Sequence, residues 1–388
     1  MINLTEKEKT IADQIFELKK QAGTHSPSLF TLKQQISNLE IKIDACFLSN
    51  PYATDLFLEY FKKELIETGD IRDILEFYPA QNQQTAKILA PHLNIDPKCL
   101  FIGNGASEII QAIIHNFTKE KLLINIPTFS AYYEFTKPNC KIIYNKQKKE
   151  DQYLLDSKKY IELAKKEKPD TAIIINPNNP DGRYLPLEEI HYILEELQEI
   201  ETIIVDESFI HFAYENTNFY LNSSIQLTKK YPNLVIIKSM SKDFGIAGIR
   251  AGYAIMSPER VQKLLKNGYL WNISGLAEYF FQLYVREDFL EKYEKLRIQY
   301  IKETQAFHQS ISNIPNLTVY PSMANFLLIE LLNISSDDFM IKSLVSHGIY
   351  VRTCGDKIGL EGEFIRLASR KKSENQTIIE SINNIINE

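Results

Sequence analysis

The chain has 388 residues, 44% of them apolar and 24% charged, and a formal net charge of −6 at pH 7. That length suffices for a large core in two domains, or in one large domain with a satellite. The negative balance disfavours nucleic acid as a partner, which calls for clustered surplus Lys and Arg, and the short basic run at 146–149 reads as a solvated turn.

The four cysteines, Cys46, Cys99, Cys140 and Cys354, are scattered and form no CxxC pair. They read as reduced thiols, not as a disulfide framework or a zinc site. The N-terminal run MINLTEKEKTIADQIFELKK has helical apolar spacing and no uninterrupted apolar stretch, so it does not read as a signal peptide. No apolar run is long enough to span a bilayer. The expectation is a soluble, cytoplasmic protein with neither a membrane nor a nucleic acid partner.

In chain order, residues 5–42 read as helical or irregular and end near the turn at Asn50-Pro51-Tyr52. From about residue 99 the pattern changes to short β-branched runs, at 100–102, 122–126, 141–144, 172–175, 202–205, 234–237 and 252–255. They are apolar on both faces, as parallel strands covered by helices must be. Helical patterns lie between several of them, including 186–199. Alternating strands and helices imply an α/β domain with a parallel sheet. A long helical stretch at about 258–311 follows, and then strands at 325–330 and 364–368 on either side of a helix at 336–347, which suggests a smaller α+β domain.

In such a sheet ligands sit at the carboxyl ends of the strands, so the polar residues there carry the interest. After the strand at 234–237 comes Ser239-Met240-Ser241-Lys242-Asp243-Phe244-Gly245, leading to Arg250. A lysine in this position can form a Schiff base with an aldehyde, and Ser239 and Arg250 can hold a phosphate. After 172–175 comes Asn176-Pro177-Asn178-Asn179-Pro180-Asp181-Gly182, where an Asn can bond a ring hydroxyl. After 202–205 comes Asp206, whose carboxylate needs a cation or a partner; a protonated pyridine nitrogen is one. After 100–102 comes Gly103-Asn104-Gly105-Ala106-Ser107, which opens a helix and offers an anion cradle. Each segment also has an ordinary reading: a basic loop, an Asn-Pro turn, a helix cap or ion pair, and a glycine turn without the P-loop lysine. Their joint occurrence in this order is the stronger signal.

These motifs, SxSK…R, NPNNPxG and VDE, resemble those of fold-type I pyridoxal-phosphate (PLP) enzymes of the class I/II aminotransferase superfamily. The similarity runs over roughly residues 48–385 and is nearest to the histidinol-phosphate aminotransferase branch and to threonine-phosphate decarboxylase. It implies an α/β fold of aspartate aminotransferase type, with a mainly parallel, seven-stranded-type sheet sandwiched by helices and a smaller α+β domain. The implied boundaries are a helical segment at 1–48, belonging to the small domain or a dimer arm, a PLP-binding domain at 49–270 and a small domain at 271–388. A homodimer with shared active sites is implied as well.

By the same resemblance Lys242 is the Schiff-base lysine and moves the proton at the substrate α-carbon. Asp206 pairs with the pyridine nitrogen, and Asn179 bonds the ring oxygen. Gly105, Ala106 and Ser107, with Ser239, Ser241 and Arg250, correspond to the phosphate cup. Phe129, which alone reads as core, stands where an aromatic ring stacks on the pyridine. Tyr78 corresponds to a tyrosine reaching the partner's cofactor phosphate. Arg366 corresponds to the clamp on a substrate carboxylate, although an Arg on an apolar strand is also served by an ordinary salt bridge.

Two departures bear on the reaction. The tyrosine usual three residues after the aspartate is Phe209 here, as in the decarboxylase branch. The loop that selects substrate reads Leu48-Ser49-Asn50-Pro51-Tyr52-Ala53-Thr54 in place of an NENPYG-like run, with Asn50 and Tyr52 as its candidate contacts. The leading expectation is transamination of an amino acid or a phosphorylated amino compound. Decarboxylation of a phospho- or phosphono-amino acid is the alternative. A non-catalytic binding module of this fold is a minor third, opposed by the joint presence of Lys242, Asp206 and Arg366.

Overall fold

A computed structural model describes residues 4–22, 25–37, 39–269 and 271–387. The chain forms two compact units. One comprises Met1–Leu48, Pro180–Gly182 and Tyr300–Glu388; the other comprises Ser49–Asn179 and Arg183–Gln299.

The larger unit is built on a seven-stranded sheet of β1 (Leu100–Asn104), β2 (Lys121–Ile126), β3 (Lys141–Lys146), β4 (Thr171–Ile175), β5 (Thr202–Asp206), β6 (Leu234–Ser239) and β7 (Ala251–Ile255). The spatial order is β1-β7-β6-β5-β4-β2-β3. Alternate residues of each central strand serve two different cores. Ile203, Val205 and Ile236 join one apolar cluster, while Ile204, Val235 and Ile237 join the other. Helices Ser157–Glu167 and Leu187–Glu196 contribute to the first, and Gly105–Phe117 to the second. Burial on both faces is why these strands read as unbroken apolar runs. Each buried Ile contributes about 1.5–3 kcal/mol relative to exposure.

One strand departs from the expected parallel sheet. β7 pairs antiparallel with both β1 and β6. An apolar run reports burial on two faces and not direction. The segment between β6 and β7 holds only turns, with no crossover helix to return the chain for a parallel pairing.

The 258–311 stretch is three helices: Pro258–Lys266, Gly275–Tyr284 and Glu287–Ser312. The expected boundary at 270/271 is displaced to 299/300, inside the last of them. The cause is packing, since Ala277, Phe280, Phe281 and Tyr284 lie in the same cluster as Ile236 and Phe244 of the large unit.

The smaller unit carries an antiparallel sheet of β8 (Leu317–Val319), β9 (Phe326–Leu331), β10 (Arg352–Thr353) and β11 (Phe364–Ala368), in the order β10-β11-β9-β8. Its core draws Ile15 and Leu32 from N-terminal helices together with Phe339, Met340, Leu344 and Ile385. Among the described residues no helix is long and apolar enough to cross a membrane.

Candidate active site

Strands β4, β5 and β6 are mutually parallel, so the segments that follow them leave one edge of the sheet. Asp206 ends β5 and is 4% exposed. Its Oδ1 accepts the Ser208 N–H at 2.8 Å, and its Oδ2 accepts the Tyr132 hydroxyl at 2.7 Å. Burial pushes the Asp206 carboxyl above its ordinary value, while the bonds from Ser208 and Tyr132 hold it down. Among the described residues no cation lies in salt-bridge range of it. Tyr132 is itself fully buried, and burial followed by the neighbouring Asp206 drives its hydroxyl well above the usual range, so it stays a donor. The result is a fixed carboxylate with room in its chemistry for a cationic N–H.

Lys242 follows β6 and is half-buried. Its carbonyl accepts the Asn50 N–H at 3.0 Å. The two segments also meet at Gly245, whose φ is +62° and whose carbonyl accepts the Thr54 hydroxyl at 2.8 Å; a Cβ there would lie 2.3 Å from the Asn50 oxygen. The substrate loop expected from the sequence thus packs directly on the lysine segment. Asn50 is fully buried and caps helix Pro51–Phe61, accepting the Tyr52 N–H at 3.1 Å. Its Nδ2 has no hydrogen-bond partner. Tyr52 is half-buried at the first turn of that helix.

The residues expected to form a phosphate cup are placed as follows. Gly105, at φ +74°, starts helix Gly105–Phe117, and a Cβ on it would lie 2.4 Å from Arg250 Nη2. Only a glycine lets that guanidinium lie against the helix N-terminus. Arg250 donates to the Ala247 carbonyl at 3.1 Å, and no carboxylate pairs with it among the described residues. Ser239 and Ser241 are both buried; the Ser241 N–H donates to Ser239 Oγ at 3.3 Å, and Ser241 Oγ has no partner. Ala106 is half-buried and Ser107 exposed in the first helical turn. An unbonded buried hydroxyl, an arginine bonded only to carbonyls and a helix N-terminus together suit a phosphate dianion.

Phe129 is half-buried after β2, and Asn179 is buried after β4. Their segments are tied by Thr128 Oγ1, which donates to Asn178 Oδ1 at 2.8 Å, and by Asn178 Nδ2, which donates to the Pro127 carbonyl at 3.0 Å. Phe209 is 4% exposed and brings no hydroxyl. Tyr78 stands apart, 82% exposed, with its ring 5.2 Å from Trp271.

Arg366 lies at the centre of β11 in the smaller unit, directly opposite Arg352 of β10. Arg366 Nη2 donates to the Cys46 carbonyl at 2.9 Å. Burial lowers its pKa, and Arg352 adds to the lowering. Arg352 forks onto Asp356 with two bonds of 2.7 Å, and the buried Lys357 lies 3.4 Å from the same carboxylate. Burial, with Arg352 and Arg366 assisting, lowers Lys357 too.

The sequence reading missed Tyr132, Ser208, Arg352 and Lys357. Tyr132 lies in the short helix Ala131–Glu134 that follows Phe129, and nothing in its local pattern sets it apart. Arg352 follows the apolar Ile349-Tyr350-Val351, the same signal that drew attention to Arg366.

A model of the family described as aminotransferase class I and II matches residues 47–382. An L-serine phosphate decarboxylase from Campylobacter jejuni is 56% identical over 389 residues, covering 100% of both chains. Another from Sulfurospirillum multivorans is 49% identical over 370 residues, covering 95% of this chain and 94% of the relative. The solved structure of a decarboxylase from Sulfurospirillum multivorans superposes with a TM-score of 0.93 at 47% identity, covering 98% of this chain and 97% of that one.

The family match and the fold define a fold-type I enzyme whose cofactor is pyridoxal 5'-phosphate. The chain belongs to the class I and II aminotransferase family.

Proposed function

We propose that this chain decarboxylates a phosphorylated amino acid, with O-phospho-L-serine as its substrate. The observation that carries the reading is the likeness over nearly the whole chain to two relatives named L-serine phosphate decarboxylase, at 56% and 49% identity. A substrate bearing both a carboxylate and a phosphate also suits the cationic side chains of Arg352 and Arg366, which are register partners in the small sheet, because guanidinium groups take both anions through bidentate contacts. Transamination, the leading expectation from the sequence, gives way to the alternative.

The cofactor, when bound, supplies an electron sink for the pair left at the α-carbon as carbon dioxide departs. In this reading Arg250, Ser239, Ser241 and the Gly105–Ser107 turn would hold its phosphate, Asp206 would keep its ring nitrogen protonated, Asn179 would bond its ring oxygen and Phe129 would stack on its ring. Lys242 Nζ would anchor it and could then return a proton to the α-carbon. Arg366 and Arg352, both in the smaller unit, would offer bidentate donors to the substrate's anionic groups. Phe209, buried and without a hydroxyl, would give the ring oxygen no hydrogen bond.

A homodimer belongs to the same reading. Phe77 and Tyr78, 63% and 82% exposed, together with Trp271 leave an apolar edge for a second copy to cover.

The test is an assay of the purified enzyme with O-phospho-L-serine in the absence of any keto acid. Carbon dioxide release supports the proposal. In a parallel assay with 2-oxoglutarate added, formation of glutamate without carbon dioxide would overturn it and restore the aminotransferase reading.

A further inference from the structure

Lys238, the penultimate residue of β6, is 2% exposed. An ammonium so buried has to be paired and hydrogen-bonded. Its Nζ contacts Oδ2 of Asp243, a fully buried carboxylate that directly follows Lys242. The same Nζ lies 3.4 Å from the Ser208 carbonyl, two residues after Asp206. Ser208 in turn gives its N–H to Asp206 Oδ1 at 2.8 Å and takes the Ser239 N–H on its Oγ at 3.3 Å. One ammonium therefore joins the segment after Asp206 to the segment that carries Lys242.

The remaining surroundings of Asp243 do not replace this link. Its Oδ2 lies 3.5 Å from His211 Nδ1, which is 2.9 Å from the Tyr293 hydroxyl. Burial, followed by the charges of Lys238 and Arg297, carries His211 well below its ordinary value, so it is neutral. Arg297 is engaged with Glu294 and with the carbonyls of His211 and Thr217. Asp243 Oδ1 has no hydrogen-bond partner.

We propose that Lys238 and Asp243 are positioning residues, whose buried pair sets the spacing between Lys242 and Asp206 and thereby tunes cofactor affinity and the protonation of the lysine–cofactor linkage. The inference rests on the reading of Lys242 and Asp206 given above. It differs from a purely structural ion pair, because a buried pair replaced on both sides by neutral groups commonly costs no stability.

That difference sets the experiment, made on Lys238→Met, Asp243→Asn and the double variant. Each single change strands a buried charge and lowers the melting temperature, and the double change recovers most of the loss. Positioning predicts that the refolded double variant still binds pyridoxal phosphate about tenfold more weakly and that the pH midpoint of its visible absorbance moves by about half a unit or more. A double variant with the wild-type affinity and midpoint would overturn the proposal. Should the double variant not fold, Asp243→Glu keeps the charge and lengthens the link by one methylene. A moved midpoint in that variant supports the proposal, and an unmoved one overturns it. Wild-type enzyme that takes up no cofactor, or a visible band that survives Lys242→Ala, would instead overturn the underlying reading of Lys242.

Discussion

The Tyr132 hydroxyl donates to Oδ2 of Asp206 at 2.7 Å, and neither group reaches solvent. A hydrogen bond to a buried carboxylate is worth about 1.5–3 kcal/mol. Tyr132→Phe is expected to weaken pyridoxal phosphate binding by about tenfold or more, because the carboxylate that pairs with the ring nitrogen loses one of its two donors. A titration of the apoenzyme with the cofactor, followed by visible absorbance, measures this. Unchanged affinity would show that Ser208 alone holds Asp206 in place.

Arg352 and Arg366 face one another across β10 and β11. Replacing either by Gln should raise KM for O-phospho-L-serine by about a hundredfold, the size expected for loss of one charged, bidentate contact. Cofactor absorbance should stay as in the wild type. Steady-state kinetics and a spectrum of the same preparation check both halves.

Phe209 tests the missing hydroxyl directly. Phe209→Tyr offers a donor worth about 0.5–1.5 kcal/mol to the ring oxygen. Stabilising negative charge there should lower the pH midpoint of the visible band by up to about one unit. A spectrophotometric pH titration of variant and wild type decides it, and an unchanged midpoint would remove Phe209 from the cofactor's surroundings.

Asp243 gives a pH prediction of definite sign. Burial, opposed by Lys238, Arg297 and Lys242, pushes its carboxyl from 3.8 up to about 6. The folded chain then holds a proton in that interval that the unfolded chain does not. This group's contribution to stability is full below 3.8 and is lost as the pH rises through about 6. His211 and Tyr293 also face the carboxylate; His211 is neutral by burial, and burial holds Tyr293 well above its usual range, so neither titrates in the window. Acidifying from pH 7 to 5 should therefore help the wild type more than the Lys238→Met/Asp243→Asn variant. Thermal melts at several pH values measure the difference, and parallel curves would contradict it.

Much of the sheet was legible in the sequence, because a parallel sheet writes its strands as doubly buried apolar runs and places polar residues just after them. Lys242, Asp206, Asn179 and Arg250, the candidates for the cofactor, all lie in segments that follow strands. What escaped depends on spatial neighbours that periodicity does not encode. The reversal of β7 follows from a connection too short for a crossover. The meeting of Arg352 with Arg366 is a matter of antiparallel register. Tyr132 gains its role only because β2 and β5 bring their following segments together, and Lys238, inside an apolar run, gave no sign of a partner five residues on.

The most direct measurement is product analysis of O-phospho-L-serine turned over in heavy water with no keto acid present. The account predicts loss of the carboxyl carbon and a phosphorylated primary amine with one solvent deuteron on the former α-carbon, delivered from Lys242. In a parallel reaction with 2-oxoglutarate added, a product that keeps its carboxylate and has exchanged its amine for a keto group, with glutamate formed in its place, would contradict it.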